Sequence, residues 1–243
     1  MKEQQYILEK PKTFNLKDIF ECGQCFRWNE QEDGSYTGIW KENLVNVKKE
    51  GEDYIFTGIC KNENLEEEIK EYFDLNRDYE KIKEELSKID DYMKDSIQYG
   101  KGIRILNQDL WETIISFIIS ANNNIPRIKG IIERLSEKYG KKIEWRGKEY
   151  YTFPTPEELK NVTVEEYRKL GLGFRDIRLY ETTKMILEGK VDLEELEENP
   201  NTIEVREKLL TLSGVGPKVA DCILLFSTLK RFEVFPIDVW VRR

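Results

Sequence analysis

The chain has 243 residues, 39% of them hydrophobic and 12% aromatic, enough for one or two domains with a core that needs no disulfides. It has a formal net charge of −8 and no histidine, which excludes a Ser-His-Asp triad, an HExxH metalloenzyme and a His-ligated zinc deaminase. Any acid, base or nucleophile must then be Asp, Glu, Lys, Cys or Tyr. No apolar run approaches the roughly 18 residues of a membrane span, and Met1-Lys2-Glu3-Gln4-Gln5 precedes no apolar signal core, so a cytoplasmic protein with reduced thiols is expected, nucleoid-associated if prokaryotic.

Residues 1 to about 60 read as antiparallel strands. Phe26 and Trp28 alternate with polar neighbours, Asp33-Gly34 signals a hairpin turn, and Tyr36–Trp40, Leu44–Val47 and Tyr54–Phe56 continue the meander. Before them lies Cys22-Gly23-Gln24-Cys25. A structural zinc site wants four ligands, commonly two such pairs, and a redox CxxC belongs at a strand-to-helix junction. The other cysteines, Cys60 and Cys222, form no second pair, and the residues after Cys25 alternate like a strand. Metal and thiol-redox roles are therefore disfavoured.

After Cys60 the texture turns helical: Leu65 to Phe73, then Tyr79 to about Ile97. Asp109 with Glu112 marks a helix start, and the apolar run Ile114–Ile119 behind it suits a buried helix. Asn122-Asn123-Asn124 stops that helix and Pro126 opens the next. Thr155-Pro156-Glu157-Glu158 and Thr163-Val164-Glu165-Glu166 are further starts, and Gly189 and Pro200 punctuate later helices. The predicted fold class is α+β: an antiparallel sheet domain over residues 1–98, with flanking helices, followed by an all-helical domain over 99–243.

The acidic total argues against a nucleic-acid partner, because phosphate binding depends on positive charge. Partners, however, meet local patches. Residues 122–150 hold eight Lys/Arg against four Glu, and residues 217–243 hold five Lys/Arg against three acids.

The most informative segment is Leu212-Ser213-Gly214-Val215-Gly216-Pro217-Lys218-Val219-Ala220-Asp221-Cys222. A helix from about Ile203 to Leu210 leads in, Gly214 and Gly216 allow a tight turn with positive φ at both, and Pro217 starts a second helix. Such a helix-hairpin-helix leaves amides and a helix N-terminus for phosphate with little side-chain charge. Lys218 falls in the first turn, where the macrodipole disfavours a cation and favours the neutral, nucleophilic amine. Cys222 lies four residues on, on the same face. Further along, Asp238 in Phe235-Pro236-Ile237-Asp238 can cap a following helix, take a proton from Lys218 or stabilise positive charge on a sugar.

This hairpin, followed twenty residues later by Pro-Ile-Asp-Val, resembles the helix-hairpin-helix DNA glycosylases, and its lysine resembles their bifunctional members. Together with GQCFRW (23–28), SANNNIPRIKGIIERL (120–135) and LGLGFRDIR (170–178), it resembles the 8-oxoguanine DNA glycosylase/AP lyases from about residue 15 to the last residue. The resemblance implies a monomer acting on double-stranded DNA with 8-oxoguanine opposite cytosine. It implies that the base is flipped out, that Lys218 displaces it and cuts the strand through a Schiff base, and that Asp238 is the essential carboxylate. Gly23 matches the residue whose carbonyl accepts N7–H of 8-oxoguanine, and Cys222 the one lying against the flipped base. Asn122 matches the asparagine that fills the vacated space, Arg127 and Arg175 the readers of the estranged cytosine, and Phe174 an aromatic wedge. Gly214 and Gly216 match backbone contacts to DNA, and the carbonyls of Leu210, Leu212 and Gly214 match a structural cation site; no cofactor is implied for catalysis.

Two departures stand out. The family continues into more helices after Asp238, so the sequence is expected to be a piece of a longer protein. Trp240 stands where relatives often have His, which puts one phosphate contact in doubt. The iron–sulfur glycosylases are disfavoured because the cysteines do not match their cluster. A non-catalytic helix-hairpin-helix DNA-binding module, and a related glycosylase with another lesion preference, remain as alternatives.

Overall fold

The computed structural model describes residues 2–238 and 241, and it divides into two compact units, Met1–Asn107 and Gln108–Arg243. The division falls later than the expected break after residue 98. The reason is that the segment before it is tied into the first unit. Arg104 donates from Nε to the Phe73 carbonyl at 3.0 Å, Asn107 N–H donates to the Tyr72 carbonyl at 2.8 Å, and Asn15 N–H donates to the Gly102 carbonyl at 3.2 Å.

The first unit is a five-stranded antiparallel sheet in the order β1-β5-β4-β3-β2, built from β1 (Gln4–Leu8), β2 (Trp28–Glu30), β3 (Tyr36–Trp40), β4 (Asn43–Glu50) and β5 (Asp53–Ile59). The Asp33-Gly34 turn joins β2 to β3 as expected, with Gln31 N–H donating to the Ser35 carbonyl at 2.7 Å. The strand reading of Phe26 and Arg27 is corrected: the ladder begins at Trp28, and the segment before it bends. A short α1 (Leu16–Phe20), capped by Asn15, was not foreseen. Its apolar side chains join a core of Trp28, Trp40, Phe56 and Phe73, in which Phe20 stacks on Trp28 at 4.2 Å. Trp28 lies flat on its cross-strand partner Gly38, where any Cβ would stand 2.2 Å from the indole.

Helix α2 (Leu65–Tyr72) follows the sheet as expected. The single helix expected from Tyr79 to Ile97 is instead two, α3 (Tyr79–Leu86) and α4 (Asp91–Tyr99). Asp90 breaks the run because its carboxylate caps a new start, accepting from Met93 N–H at 2.7 Å.

The second unit is mostly helical. Asp109 accepts from Glu112 N–H at 2.8 Å and opens α5 (Leu110–Ser120), which is buried nearly all round. Asn124 caps α6 (Ile125–Tyr139) with Pro126 in its first turn. The expectation of an all-helical domain needs correction: β6 (Lys142–Trp145) and β7 (Lys148–Tyr151) form a hairpin around Arg146 and Gly147, both at positive φ. Thr155 also caps as a helix start should, accepting from Glu158 N–H at 3.2 Å, yet only turns come after it. The Thr163 capping box does open a helix, α7 (Val164–Lys169). A 3-10 turn (Gly173–Arg175) leads into α8 (Asp176–Leu187), then α9 (Leu193–Glu198), α10 (Thr202–Leu210) and α11 (Pro217–Phe226). Helix α5 packs against α6, α8 and α11.

Candidate active site and DNA interface

In the second unit, α10 and α11 form the expected helix-hairpin-helix. Val215 N–H closes the turn on the Leu212 carbonyl at 3.1 Å, and Arg206 on α10 pairs with Asp221 on α11 at 2.7 Å. That ion pair, partly buried, clamps the two helices together; nothing in the sequence spacing announced it. Gly214 has φ +86°, but Gly216 does not have the expected positive φ. It sits at φ −94° as the N-cap of α11, with no side chain capping the helix and open space where a Cβ would stand. The first N–H groups of α11 are therefore left for a ligand, the arrangement that suits an anion.

Lys218 lies in the first turn of α11, half-buried, with its Nζ 5.5 Å from the ring centre of Phe117 on α5. One turn on, Cys222 is 2% exposed. Burial pushes its thiol up, while the amine of Lys218 beside it pulls the other way, and Asp221 and Asp238 add a smaller upward push. Cys222 thus sits within electrostatic reach of both Lys218 and Asp238. Asp238 also accepts from Val241 N–H at 3.0 Å, the spacing of an N-cap. An amine and a carboxylate near one buried thiol can support nucleophilic attack with proton transfer to the carboxylate.

The other expected residues of this unit gather at the C-terminal end of α5. The three asparagines divide the work of the turn. Asn122 takes positive φ (+52°), Asn123 donates from Nδ2 to the Ile119 carbonyl at 3.1 Å, and Asn124 caps α6. The side chain of Asn122 is exposed and makes no hydrogen bond to the described residues, so the turn itself leaves it available. Arg127 is exposed, and its guanidinium donates from Nη2 to the Gly171 carbonyl at 3.2 Å. Arg175 is only 2% exposed and is used in a way the sequence did not suggest. Its Nε donates to the Ala121 carbonyl at 2.9 Å, Nη2 to the Asn122 carbonyl at 2.7 Å and Nη1 to the Leu172 carbonyl at 3.2 Å. It therefore holds the carbonyls at the end of α5 and fixes the backbone of Asn122. Phe174 is 55% exposed, unlike a core aromatic.

A structural cation is expected at the hairpin carbonyls of Leu210, Leu212 and Gly214. Leu212 still has a lone pair beyond its bond to Val215, and with Leu210 and Gly214 it offers the hard oxygen donors that such an ion takes. Among the described residues no His/Cys/Asp/Glu group could hold a metal. Trp240 lies outside the described residues.

In the first unit, Gly23 has φ +86° and open space around it, so glycine is required there by the backbone. Its neighbour Gln24, 1% exposed, pins the loop. Its Nε2 donates to the carbonyls of Ile19 (2.9 Å) and Arg104 (2.8 Å), and its Oε1 accepts from Leu106 N–H at 2.9 Å. Sequence reasoning passed over this residue, although a glutamine between two cysteines beside a glycine has no capping reason to be there. Cys22 and Cys25 form no disulfide, and their thiols face the carbonyls of Ile19 (3.4 Å) and Phe20 (3.9 Å).

The N-terminal domain of 8-oxoguanine DNA glycosylases matches residues 6–114 as a family model, and the HhH-GPD superfamily base excision DNA repair protein matches residues 115–243. An 8-oxoguanine glycosylase/lyase from Clostridium acetobutylicum is 47% identical in its apo crystal structure, with a TM-score of 0.92 over 99% of this chain and 84% of that one. The same protein bound to double-stranded DNA with cytosine opposite 8-oxoG gives 47% identity and a TM-score of 0.92, over 99% of this chain and 82% of that one. An N-glycosylase/DNA lyase of Saccharomyces cerevisiae is 32% identical over 94% of this chain, which spans 66% of that relative's length. No helix among the described residues is long and apolar enough to cross a membrane. The chain belongs to the HhH-GPD superfamily of base excision DNA repair proteins and carries the N-terminal domain of its 8-oxoguanine DNA glycosylases.

Proposed function

We propose that the protein is a bifunctional DNA glycosylase/AP lyase that acts, as a monomer, on 8-oxoguanine opposite cytosine. The observation that carries this reading is Lys218 at the uncapped start of α11, beside Phe117 and Cys222, whose thiol also feels Asp238. The target base is flipped out of the stack, because its sugar cannot be attacked inside a duplex. The Lys218 amine then bonds to C1′ while the glycosidic C1′–N9 bond breaks, its electron pair leaving with the base. Asp238 takes the proton shed by the amine or stabilises the positive charge developing on the sugar. Opening of the sugar ring gives a Schiff base between Nζ and C1′. Loss of a C2′ proton then expels the 3′ oxygen and nicks the strand.

Gly23 offers its carbonyl to N7–H of 8-oxoguanine; ordinary guanine has a bare acceptor at N7, and a buried unpaired acceptor costs about 1–3 kcal/mol. Cys222 lies against the flipped base and Asn122 enters the vacated space. Exposed Arg127 takes the edge of the estranged cytosine, and Arg175 contributes through the N–H its backbone bonds leave over. The amides near Gly214 and Gly216 hold the phosphates, and the carbonyls of Leu210, Leu212 and Gly214 hold a structural cation.

Borohydride trapping tests the reading. On duplex DNA with 8-oxoguanine opposite cytosine, a covalent adduct forms that is absent in Lys218→Gln. Binding without an adduct, equal in Lys218→Gln, leaves a DNA-binding module instead. An adduct of equal yield opposite all four bases removes the roles of Arg127 and Arg175.

A further inference from the structure

Phe174 has an unusual setting. Its ring is more than half exposed, yet two guanidinium groups stand against it, Arg175 at 4.2 Å and Arg178 at 5.0 Å from the ring centre. Arg175 is fixed by its bonds to three backbone carbonyls. Arg178, on the first turns of α8, is fixed by packing instead. Its aliphatic stem runs over Gly214 of the hairpin so closely that a Cβ built there would stand 2.8 Å from its Cδ and 3.2 Å from its Cβ. One side chain therefore touches both the exposed aromatic ring and the turn that leads to Lys218.

Three guanidinium groups, those of Arg127, Arg175 and Arg178, lie close together beside the ring. Arg175 is held below the usual arginine range by burial first, then by the nearby Arg127 and Arg178. Arg178 makes no ion pair with the described residues. Three guanidinium groups repel one another unless a polyanion lies across them. A guanidinium stacked on a ring also orients it, since its planar face is held by the ring's quadrupole.

We propose that Arg178 is a positioning residue: it sets the Phe174 ring in the orientation that enters the base stack and ties that orientation to the hairpin bearing Lys218. This rests on the glycosylase reading for its purpose, though its test does not require chemistry.

The test uses a duplex with a tetrahydrofuran abasic analogue and 2-aminopurine beside it, whose fluorescence reports insertion of a side chain into the stack. The unsubstituted protein changes the fluorescence and Phe174→Ala lowers the change to what Asn122 contributes. Arg178→Met, which keeps the stem over Gly214, lowers the inserted-to-free ratio at saturating protein by roughly two- to fivefold, the range for one exposed cation–π contact. Arg178→Lys, which keeps the charge without the planar face, lowers it as well. Phe174→Ala with Arg178→Met is no worse than Phe174→Ala alone. Thermal unfolding of Arg178→Met stays close to the unsubstituted protein, which separates positioning from folding.

An unchanged signal in Arg178→Met overturns the proposal, as does full insertion by Arg178→Lys, which would leave only a general charge effect. A fluorescence change undiminished in Phe174→Ala also overturns it, because the inserted group is then another. If the signals behave as expected while no Lys218-dependent adduct forms on 8-oxoguanine DNA, the glycosylase reading fails and the positioning role stands.

Discussion

The two glycines of the hairpin look equivalent in sequence, but alanine should affect them differently. Gly214 has φ +86°, where an L side chain costs about 1–2 kcal/mol. A Cβ there also meets Arg178 Cδ at 2.8 Å, Arg178 Cβ at 3.2 Å and Ile118 Cγ2 at 3.2 Å. The Arg178 tip can swing aside, but Ile118 is fully buried on α5 and has to be pushed; overpacking of this kind adds about 1–3 kcal/mol. Gly214→Ala should therefore lose about 2–5 kcal/mol, a fall in Tm on the order of 10 °C for a unit of this size. Gly216 has ordinary φ and open space, so alanine costs only its weakness as an N-cap, about 0.5–1 kcal/mol. On the proposed DNA contact its effect should fall on DNA affinity instead, because the new methyl group would stand beside the first N–H groups of α11. Thermal unfolding by circular dichroism, with DNA affinity measured at fixed salt, separates the two. If Gly214→Ala unfolds no earlier than Gly216→Ala, the steric account of the hairpin is wrong.

The same geometry predicts four further outcomes. Arg175→Met removes the donors from the carbonyls of Ala121, Asn122 and Leu172 and should cost about 1–3 kcal/mol in chemical denaturation; a midpoint like that of the unsubstituted protein contradicts the capping role. Tyr167 is fully buried, and burial raises its phenol from 10.0 to about 12. The unfolded chain ionises first, so this contribution is whole below pH 10 and roughly 2–3 kcal/mol is lost as pH rises to 12. Tyr167→Phe should flatten that part of the stability profile, and an unaltered slope refutes the assignment. Cys22→Ser should leave stability and base selectivity intact. Cys25→Ser, at a buried site, should lose about 1–2 kcal/mol without changing selectivity; loss of a bound metal in either variant, seen by elemental analysis, restores the thiol reading. A cation on the hairpin carbonyls should raise Tm when potassium or calcium replaces choline at equal ionic strength, and equal Tm values dismiss it.

Much of this protein was legible because its signals are local. The Asp33-Gly34 turn, the Asp109 and Thr163 caps and the all-round apolar run of α5 are short-range chemistry, and each formed where expected. The same locality explains the failures. Thr155 caps correctly, but the residues after it lack the packing that would continue a helix. The apolar spacing from Tyr79 to Ile97 continues across the break, and only Asp90 divides it.

The sequence alone determined the two-part α+β plan and the helix-hairpin-helix, because turn chemistry, helical spacing and motif order are written in neighbouring residues. Tertiary structure alone decided what the arginines do. Arg175, Arg178 and Arg206 find the end of α5, the face of Phe174 and the carboxylate of Asp221. It also decided that Gly214 and not Gly216 is the strained position, since that depends on a side chain from α8 crossing the turn. A long flexible cation can reach many partners within its length, so only the packed backbone selects among them.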